Sequence, residues 1–527
     1  MTDLPSIVRP WYRKLRFLLP IGTFVIALGF HLFLSHYEEQ RWQKLLKDIK
    51  ADGEELDFFA LFPAVPDEQN FGAIDLLDGI ADAEFQKTPE WEERLTLLNP
   101  ISFDTTMVDD SLSLEIPGNS DLASRRKWQA QDWAAFHREQ KFFPMPPPSG
   151  DDAKDLLTAM SAAEPLIKEM VQALDRPFTQ LTPTWSERTI DGPTVAYSMG
   201  HTSVISHMPR FLRTHSEAAL AAGKIQTSID DLRLVLRLSE LGHSDGRLID
   251  GLICVTNLSS AFNNIWSLLQ SQKCDTEQLK QIAEALHRID PSAMLLHCKR
   301  SELGSAMEWQ GWAEQHPEDA LKMVTEHRRM FSGASNRLEA ILVYTSDNLA
   351  PGWYHQSQTT DHLHRMWKHS IQPLKQHGLS ACLTSEQQQI TETRNRSFAH
   401  RFRMFEFDQS LKSFANVTAH FATASIRRDQ ALIACALEQY HLQHQAYPDH
   451  LTQLVPSLLP SVPTDLYDGK PMRYAPSKTG RYRLWSIGPD GIDNGGIETN
   501  PDPSPLKTSK DLGDLIWSYE PPLEAEE

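Results

Sequence analysis

The sequence predicts a mainly α-helical protein that ends in a small α+β domain. Through residues 151–446, apolar side chains recur at intervals of three and four, and glycines or prolines separate the successive runs. Two short β-like runs follow at 471–474 and 481–487, so we expect strands near the C-terminus. An uncharged run near the N-terminus adds a transmembrane helix. The predicted order is a cytoplasmic tail (1–16), a transmembrane helix (17–35), a membrane-proximal irregular segment (36–150), an α-helical array (151–420) and an α+β domain (421–527).

The composition is that of an acidic globular protein. The chain has 527 residues, which is enough for two or three domains, and a net charge of −19. A protein that binds nucleic acid needs a basic surface to displace counterions from the phosphates. We therefore expect no nucleic-acid partner.

The cysteines show no metal-binding or redox spacing. They are scattered without a C-x-x-C pair, which argues against a zinc site or a disulfide framework. We expect them to be small buried residues, although one or two disulfides remain possible. The five are Cys254, Cys274, Cys298, Cys382 and Cys435.

The uncharged run at residues 17–34 has the length of a membrane span. As a helix, its 18 residues cover about 27 Å, close to the ~30 Å hydrocarbon core of a bilayer. Basic residues crowd against its N-terminal side, whereas Glu38 and Glu39 come first on the far side, which favours an N-terminus inside. A cleaved signal peptide is the main alternative, but no small-x-small pattern follows the run. The run therefore predicts a single-pass anchor.

The segment at 51–150 is irregular and rich in proline. The stretches FPAVPDEQNF (62–71) and FFPMPPPSG (142–150) cannot lie inside helices. The segment either wraps a later domain or forms a flexible spacer. Its many aromatic residues favour wrapping, because disordered spacers are poor in aromatics.

The array at 151–420 is predicted from glycine-punctuated helix pairs of about 35 residues, as in tetratricopeptide-like solenoids. Gly223 and Gly242 are placed to end two of the helices, and Asp275 or Thr276 can cap another. The predicted helices are 153–174, 208–222, 225–241, 247–271 and 277–289.

Two groups of polar residues are candidates for a chemical site. A histidine-rich stretch at 353–369 could ligate zinc, but its spacing lacks the i, i+4 pair of helical zinc sites, so polar helix surface is the favoured interpretation. Paired acids beside tryptophans at 302–314 are typical of carbohydrate sites, yet nothing fixes their separation. The residues concerned are His355, His362, His364, His369 and Asp361 in the first group, and Glu302, Glu308, Glu314, Trp309 and Trp312 in the second.

Four pieces of the C-terminal sequence resemble the globular domain of the major pseudopilin of type II secretion systems. ALEQYHLQHQAYPDHLTQLV resembles the end of its long helix, and TDLYDGKPMRY, YRLWSIGPDG and DLGDLIW resemble its later motifs. The resemblance implies a long helix, a loop and a small antiparallel sheet. It also implies a bacterial inner-membrane protein with the bulk of the chain in the periplasm. The whole chain is similar in build to large membrane-anchored envelope proteins of planctomycete- and verrucomicrobia-like bacteria, which implies no activity.

The resemblance further implies a calcium site in the acidic C-terminal loop. Calcium takes 6–8 oxygen ligands in flexible geometry. By the resemblance, Asp490, Asp511 and Asp514 are the best candidate ligands, Asp493 is also available, and backbone carbonyls near Ile487 can assist. A solvated acidic loop without an ion is the alternative.

These observations favour a membrane-anchored envelope protein that binds other envelope proteins through its helical array. No G-x-S-x-G, P-loop or H-E-x-x-H motif is present, which lowers the expectation of an enzyme. A hydrolase acting on glycan or peptide remains an alternative. A structural subunit of a secretion or pilus-like machine is a third.

Overall fold

The computed structural model describes residues 12–82, 84–98, 130–140, 144–188, 192–194, 200–320, 322–323, 352–394, 405–477, 480–497 and 513–519. The predicted fold class is confirmed in outline, because the described residues are mainly helical and carry a small three-stranded sheet at the C-terminal end. The chain forms two compact units. The first comprises Met1–Leu56 and Trp309–Lys368, and the second comprises Asp57–Glu308 and His369–Glu527.

The secondary-structure elements are numbered here in chain order. The α-helices are α1 (Tyr12–Ala51), α2 (Pro89–Leu98), α3 (Ala130–Gln140), α4 (Asp152–Ala159), α5 (Glu164–Gln172), α6 (Gly200–Ala221), α7 (Ile225–Asp245), α8 (Leu248–Ser271), α9 (Thr276–Arg288), α10 (Pro291–Gln315), α11 (Gly352–Met366), α12 (Gln372–Arg394) and α13 (Phe405–His444). A π-helical turn, Trp367–Ile371, lies between α11 and α12, and α12 is broken at Gly378. The strands are β1 (Arg473–Pro476), β2 (Tyr482–Ser486) and β3 (Leu515–Ser518).

In the first unit, the polar half of α1 packs against α11. Arg41 joins the two helices, because its guanidinium lies 2.5 Å from Asp361 Oδ1 and 2.7 Å from Glu38 Oε2. On the same side of α1, Trp42, Leu45 and Ile49 are buried. This half of α1 is therefore part of a folded unit.

The other half of α1 contains the predicted transmembrane run. Within the described residues, large apolar side chains between 21 and 33 are exposed, whereas the side chains at 17–20 lie outside the described part. Among the described residues, no helix is both long enough and apolar enough to cross a membrane.

In the second unit, α6, α7 and α8 form successive antiparallel neighbours around the main hydrophobic core. Gly223 allows the tight connection between α6 and α7, since its φ of +76° suits glycine. Asp275 caps α9 as predicted and forms a capping box with Gln278. The predicted single helix 153–174 is instead α4 and α5, because Pro165 fits only in the first turn of a helix.

The segment after α1 lies on the core of the second unit. Phe71, Leu77 and Ile80 are fully buried there, and the Asn70 side-chain amide donates to Gln180 O over 2.9 Å. Short 3₁₀ turns replace longer helices through this stretch. The described part of 57–82 therefore wraps the helical body, as its aromatic content predicts.

The C-terminal segment shares the hydrophobic core of the helices. The three strands are antiparallel in the order β1-β2-β3, and their inward side chains Tyr482, Leu484 and Trp517 belong to the same buried cluster as α8 and α13. The strand β3 is further tied to α8 and α13, because Trp266 Nε1 donates to Ser518 O over 3.0 Å and Arg427 donates to Ile516 O over 2.7 Å. The predicted boundary at 420/421 falls within α13, and the core continues across it.

A buried ion pair joins α6 and α7. His215 Nδ1 lies 2.7 Å from Asp231 Oδ2, and neither side chain is more than 5% exposed. Burial raises the pKa of Asp231 to about 6. For His215, burial favours the neutral imidazole, but the hydrogen bond that the ring donates to Asp231 raises the pKa above its ordinary value.

This pair contributes stability that is lost as the pH rises from about 4 to above 7. Between about pH 4 and 6, Asp231 loses its proton in the unfolded state but keeps it in the folded state. Above pH 6.5 the same holds for His215, so the folded state binds more protons throughout. We expect a loss on the order of 2 kcal/mol, measured by urea unfolding at several pH values. Asp231→Asn should remove this contribution at both ends of the range, because the carboxylate that raises the pKa of His215 is lost as well, whereas Asp175→Asn at an exposed position should leave it intact. Parallel pH profiles for Asp231→Asn and the unmodified protein would contradict the assignment.

Candidate functional site

The sequence motif TDLYDG places a buried aspartate at the start of the C-terminal sheet. Asp465 is fully buried. Each of its two carboxylate oxygens accepts two hydrogen bonds. Oδ1 accepts from Tyr467 N at 3.0 Å and Ser486 Oγ at 2.9 Å, while Oδ2 accepts from Ile487 N and from Arg473, each at 2.8 Å. Asp465 thereby ties the loop before β1 to the end of β2.

Arg473, the first residue of β1, binds three carboxylates. Its Nη1 pairs with Asp465 at 2.8 Å, its Nη2 with Asp468 at 2.5 Å, and its Nε with Asp493 at 2.8 Å. The Arg473 side chain is 13% exposed, so these bonds are largely sheltered from water. A guanidinium presents its donors in a fixed planar fork, which suits carboxylates in such an arrangement.

Two of the carboxylates around Arg473, those of Asp468 and Asp493, have lowered pKa values. For Asp468, burial favours the neutral form, but the hydrogen bond from Arg473 lowers the pKa below its ordinary value. The hydrogen bond from the Trp485 indole, supplemented by that from Arg473, lowers the pKa of Asp493. The acidic loop is therefore joined electrostatically to the first strand of the sheet.

Three of the four predicted calcium ligands lie in the described part of this loop, and Asp511 lies outside it. Asp490 Oδ1 accepts from Ile492 N at 3.0 Å, which closes a local turn. Asp493 accepts from Arg473, from Trp485 Nε1 at 3.0 Å and from Gly495 N at 3.0 Å. Asp514 accepts from Asn494 N at 3.2 Å and Gly496 N at 2.7 Å, and burial raises its pKa.

These hydrogen bonds test how well the described residues suit a calcium ion. Calcium needs several carboxylate oxygens that are free to turn toward it. Both oxygens of Asp493 are engaged by protein donors, and so are both oxygens of Asp514. Within the described residues, no three acidic, histidine or cysteine side chains converge to hold a metal ion. The described part of the donor set does not fit calcium, and the calcium site stays a prediction.

The histidine-rich stretch lies on α11 and the π-helical turn, and the side chain of His355 falls outside the described residues. Burial lowers the pKa of His362 to about 4 and also lowers that of His364. His369 Nδ1 lies 3.4 Å from Ser385 Oγ. Asp361 forms an ion pair with Arg41.

The acids beside the tryptophans have separate structural partners. Glu302 Oε1 accepts from Leu248 N at 2.9 Å at the start of α8, and burial raises its pKa. Glu308 Oε2 accepts from the backbone N and Oγ1 of Thr194, at 3.0 and 2.9 Å. Glu314 accepts from Gln310 at 2.8 Å. Each of these acids is therefore held by a partner of its own.

Two buried ionic networks carry no sequence signature. Lys299 Nζ lies 2.7 Å from Glu386 Oε1, and both side chains are buried. Glu438 on α13 binds Arg481 at 3.0 Å and accepts from the hydroxyls of Tyr447 and Tyr482. Arg481 also donates to Leu269 O at the end of α8, so this second network fastens the sheet to two helices.

The described part of the second unit includes two clefts. The first, of about 410 Å³, is lined by His287, Arg428, Asp429 and the loop 459–464. The second, of about 330 Å³, is lined among others by Phe178, Glu240 and Arg288. In the first cleft Asp429 lies 2.7 Å from Arg428. Two acids line the second cleft: Glu240 binds Arg237, and Asp290 accepts from the backbone N of Ser292 and Ala293.

The cysteines are buried and free, as their scattered positions predict. Burial raises the pKa of the Cys274 thiol to about 11 and that of Cys382 to about 12. Thiols with raised pKa values are poor nucleophiles at neutral pH. Cys274 and Cys382 therefore behave as packing residues.

Comparison of the chain with models of protein families, with curated proteins and with solved structures finds no match.

Proposed function

We propose that the protein is a membrane-anchored envelope protein whose folded body binds other envelope proteins. In this proposal residues 17–34 lie in a bacterial inner membrane, the N-terminus is inside, and the bulk of the chain is in the periplasm. The observation that carries the proposal is the exposed apolar half of α1, which continues without a break into a half that packs in the first unit.

The exposed half of α1 has a composition that suits lipid. Exposing a large apolar side chain to water costs roughly 1.5–3 kcal/mol relative to burying it. A helix that lies in a lipid bilayer does not expose these side chains to water, so the cost is removed. The exposed residues are Ile21, Phe24, Val25, Ile26, Leu28, Phe30, Leu32 and Phe33.

Binding is favoured over catalysis by the engagement of the acids. Glu302, Glu308, Asp429 and Glu240 each have a protein partner, which supports a structural role for these acids. Residues 430–439 of α13 are buried on every face. This stretch is covered by the chain itself, which makes a fibre subunit built on it the weaker proposal.

Carbonate extraction of membranes tests the anchor. The full chain should remain in the pellet, and a chain that begins at Ser35 should move to the supernatant. This truncation keeps Trp42, Leu45 and Ile49, which pack in the first unit, so its fold is preserved. A full chain that carries Ile26→Lys and Phe30→Asp serves as a matched control and should also be extracted. Full-length protein in the supernatant would contradict the anchor.

Photo-crosslinking in native membranes tests the binding role. A probe in the wall of either cleft, at Phe178 or Ser461, should capture one partner repeatedly, and a probe at exposed Leu442 serves as the control. Random capture from all three positions would contradict a specific partner.

A further inference from the structure

We propose that Arg473 is a built-in cation that holds the acidic C-terminal loop, so that this segment folds without calcium. The resemblance found in the sequence implies a metal ion in this loop, whereas the described residues place a guanidinium among the carboxylates. The proposal goes beyond the proposed membrane and binding roles and does not depend on them.

The first step is geometric. Arg473 reaches Asp465, Asp468 and Asp493 at 2.8, 2.5 and 2.8 Å. Asp465 and Asp468 lie in the turn before β1, and Asp493 lies in the acidic loop after β2. One side chain thus links the two segments, which is the role that a multivalent cation has in a metal-bound loop.

The second step concerns charge. The three carboxylates carry three negative charges, and Asp465 is fully buried. Lys470, a neighbouring cation, is 74% exposed and lies 3.6 Å from Asp468 Oδ2. An exposed pair of this kind contributes little. The buried Asp465 carboxylate is compensated by Arg473 and by the donors Tyr467 N, Ile487 N and Ser486 Oγ.

The third step follows from removal of the arginine. Without the guanidinium, carboxylate oxygens from Asp465, Asp468 and Asp493 would surround the space that it fills. Hard oxygen ligands in flexible geometry are what calcium prefers. Loss of Arg473 should therefore convert an arginine-held loop into a calcium-dependent one.

The test compares melting of the full chain in millimolar calcium and in chelator. The unmodified protein should melt at the same temperature in both. Arg473→Gln should melt several degrees lower in chelator and recover part of that loss in calcium. Lys470→Gln, which removes the neighbouring exposed cation, should behave like the unmodified protein. Arg473→Lys keeps one charge without the planar fork, so its loss should be intermediate and its calcium response small.

Terbium luminescence gives a second readout that does not depend on melting. Trp485 lies beside the site, since its Nε1 donates to Asp493. Excitation of tryptophan should give terbium emission in Arg473→Gln and not in the unmodified protein. Calcium stabilisation or terbium emission in the unmodified protein would overturn the proposal and would support the predicted calcium site. An Arg473→Gln variant that folds normally and ignores both ions would overturn it too. If Arg473→Gln does not fold, the same two measurements on Arg473→Lys test the proposal.

Discussion

Replacing Lys299 by alanine is expected to lower the free energy of unfolding by about 3–5 kcal/mol. Lys299 is fully buried on α10, and its Nζ lies 2.7 Å from Glu386 Oε1 on α12. Ser370, in the π-helical turn, also donates to Glu386. Truncation of the lysine leaves the Glu386 carboxylate in the interior without its cation, and an isolated buried charge is strongly unfavourable. Urea unfolding followed by circular dichroism measures the loss.

Two controls separate the charge effect from loss of packing. The double change Lys299→Met with Glu386→Leu removes both charges and keeps the volume, so it should cost much less than the single change. Lys280→Ala breaks an exposed pair with Glu277 and should cost about 1 kcal/mol or less. A single Lys299→Ala change that costs no more than Lys280→Ala would show that the buried pair is not holding α10 and α12 together.

Replacing Trp517 by alanine is expected to cost about 3–5 kcal/mol, because the indole is fully buried and its removal leaves a large cavity. Trp517 lies on the inward face of β3 opposite Leu484. Both residues belong to the core cluster that also contains α8 and α13. The loss should therefore appear in the helical signal at 222 nm as well as in the near-ultraviolet signal of the aromatic residues.

Trp485 provides a matched control for Trp517. It lies on the neighbouring strand, one position along from Leu484, and its side chain is on the outward face of the sheet. Trp485→Ala removes the same ring from a position that is only partly buried, so it should cost less than Trp517→Ala. If Trp517→Ala lowers the near-ultraviolet transition and leaves the helical transition unchanged, the sheet and the helices do not share one core.

Local signals in the sequence were sufficient for much of the fold. Asp275 and Gln278 are three residues apart, so their capping box could be predicted, and it marks the start of α9. The glycine between α6 and α7 likewise marks a turn through its own backbone preference. Both features depend on neighbours in the chain. The break between α4 and α5 was missed although Pro165 marks it, because the apolar spacing continues through the proline.

The ionic networks could not be predicted because their partners are far apart in the chain. Lys299 and Glu386 are 87 residues apart, and no periodic pattern relates them. Asp493 is 20 residues from Arg473. The sequence of the acidic loop is equally typical of a metal site and of a solvated turn. Only the pairing of β1 with β2 places Arg473 beside this loop. The resemblance to a pseudopilin drew attention to the acids and gave no reason to consider the arginine.

Hydrogen exchange of the full chain tests most directly whether the C-terminal sheet and the helices around α8 form one folded body. Under native conditions with low concentrations of denaturant, the protected amides of β2 and those of α8 should exchange through the same global opening, with equal free energies and equal denaturant dependence. A sheet that opens separately, at a lower free energy and with a shallower denaturant dependence than α8, would contradict a shared core and would describe an independent domain.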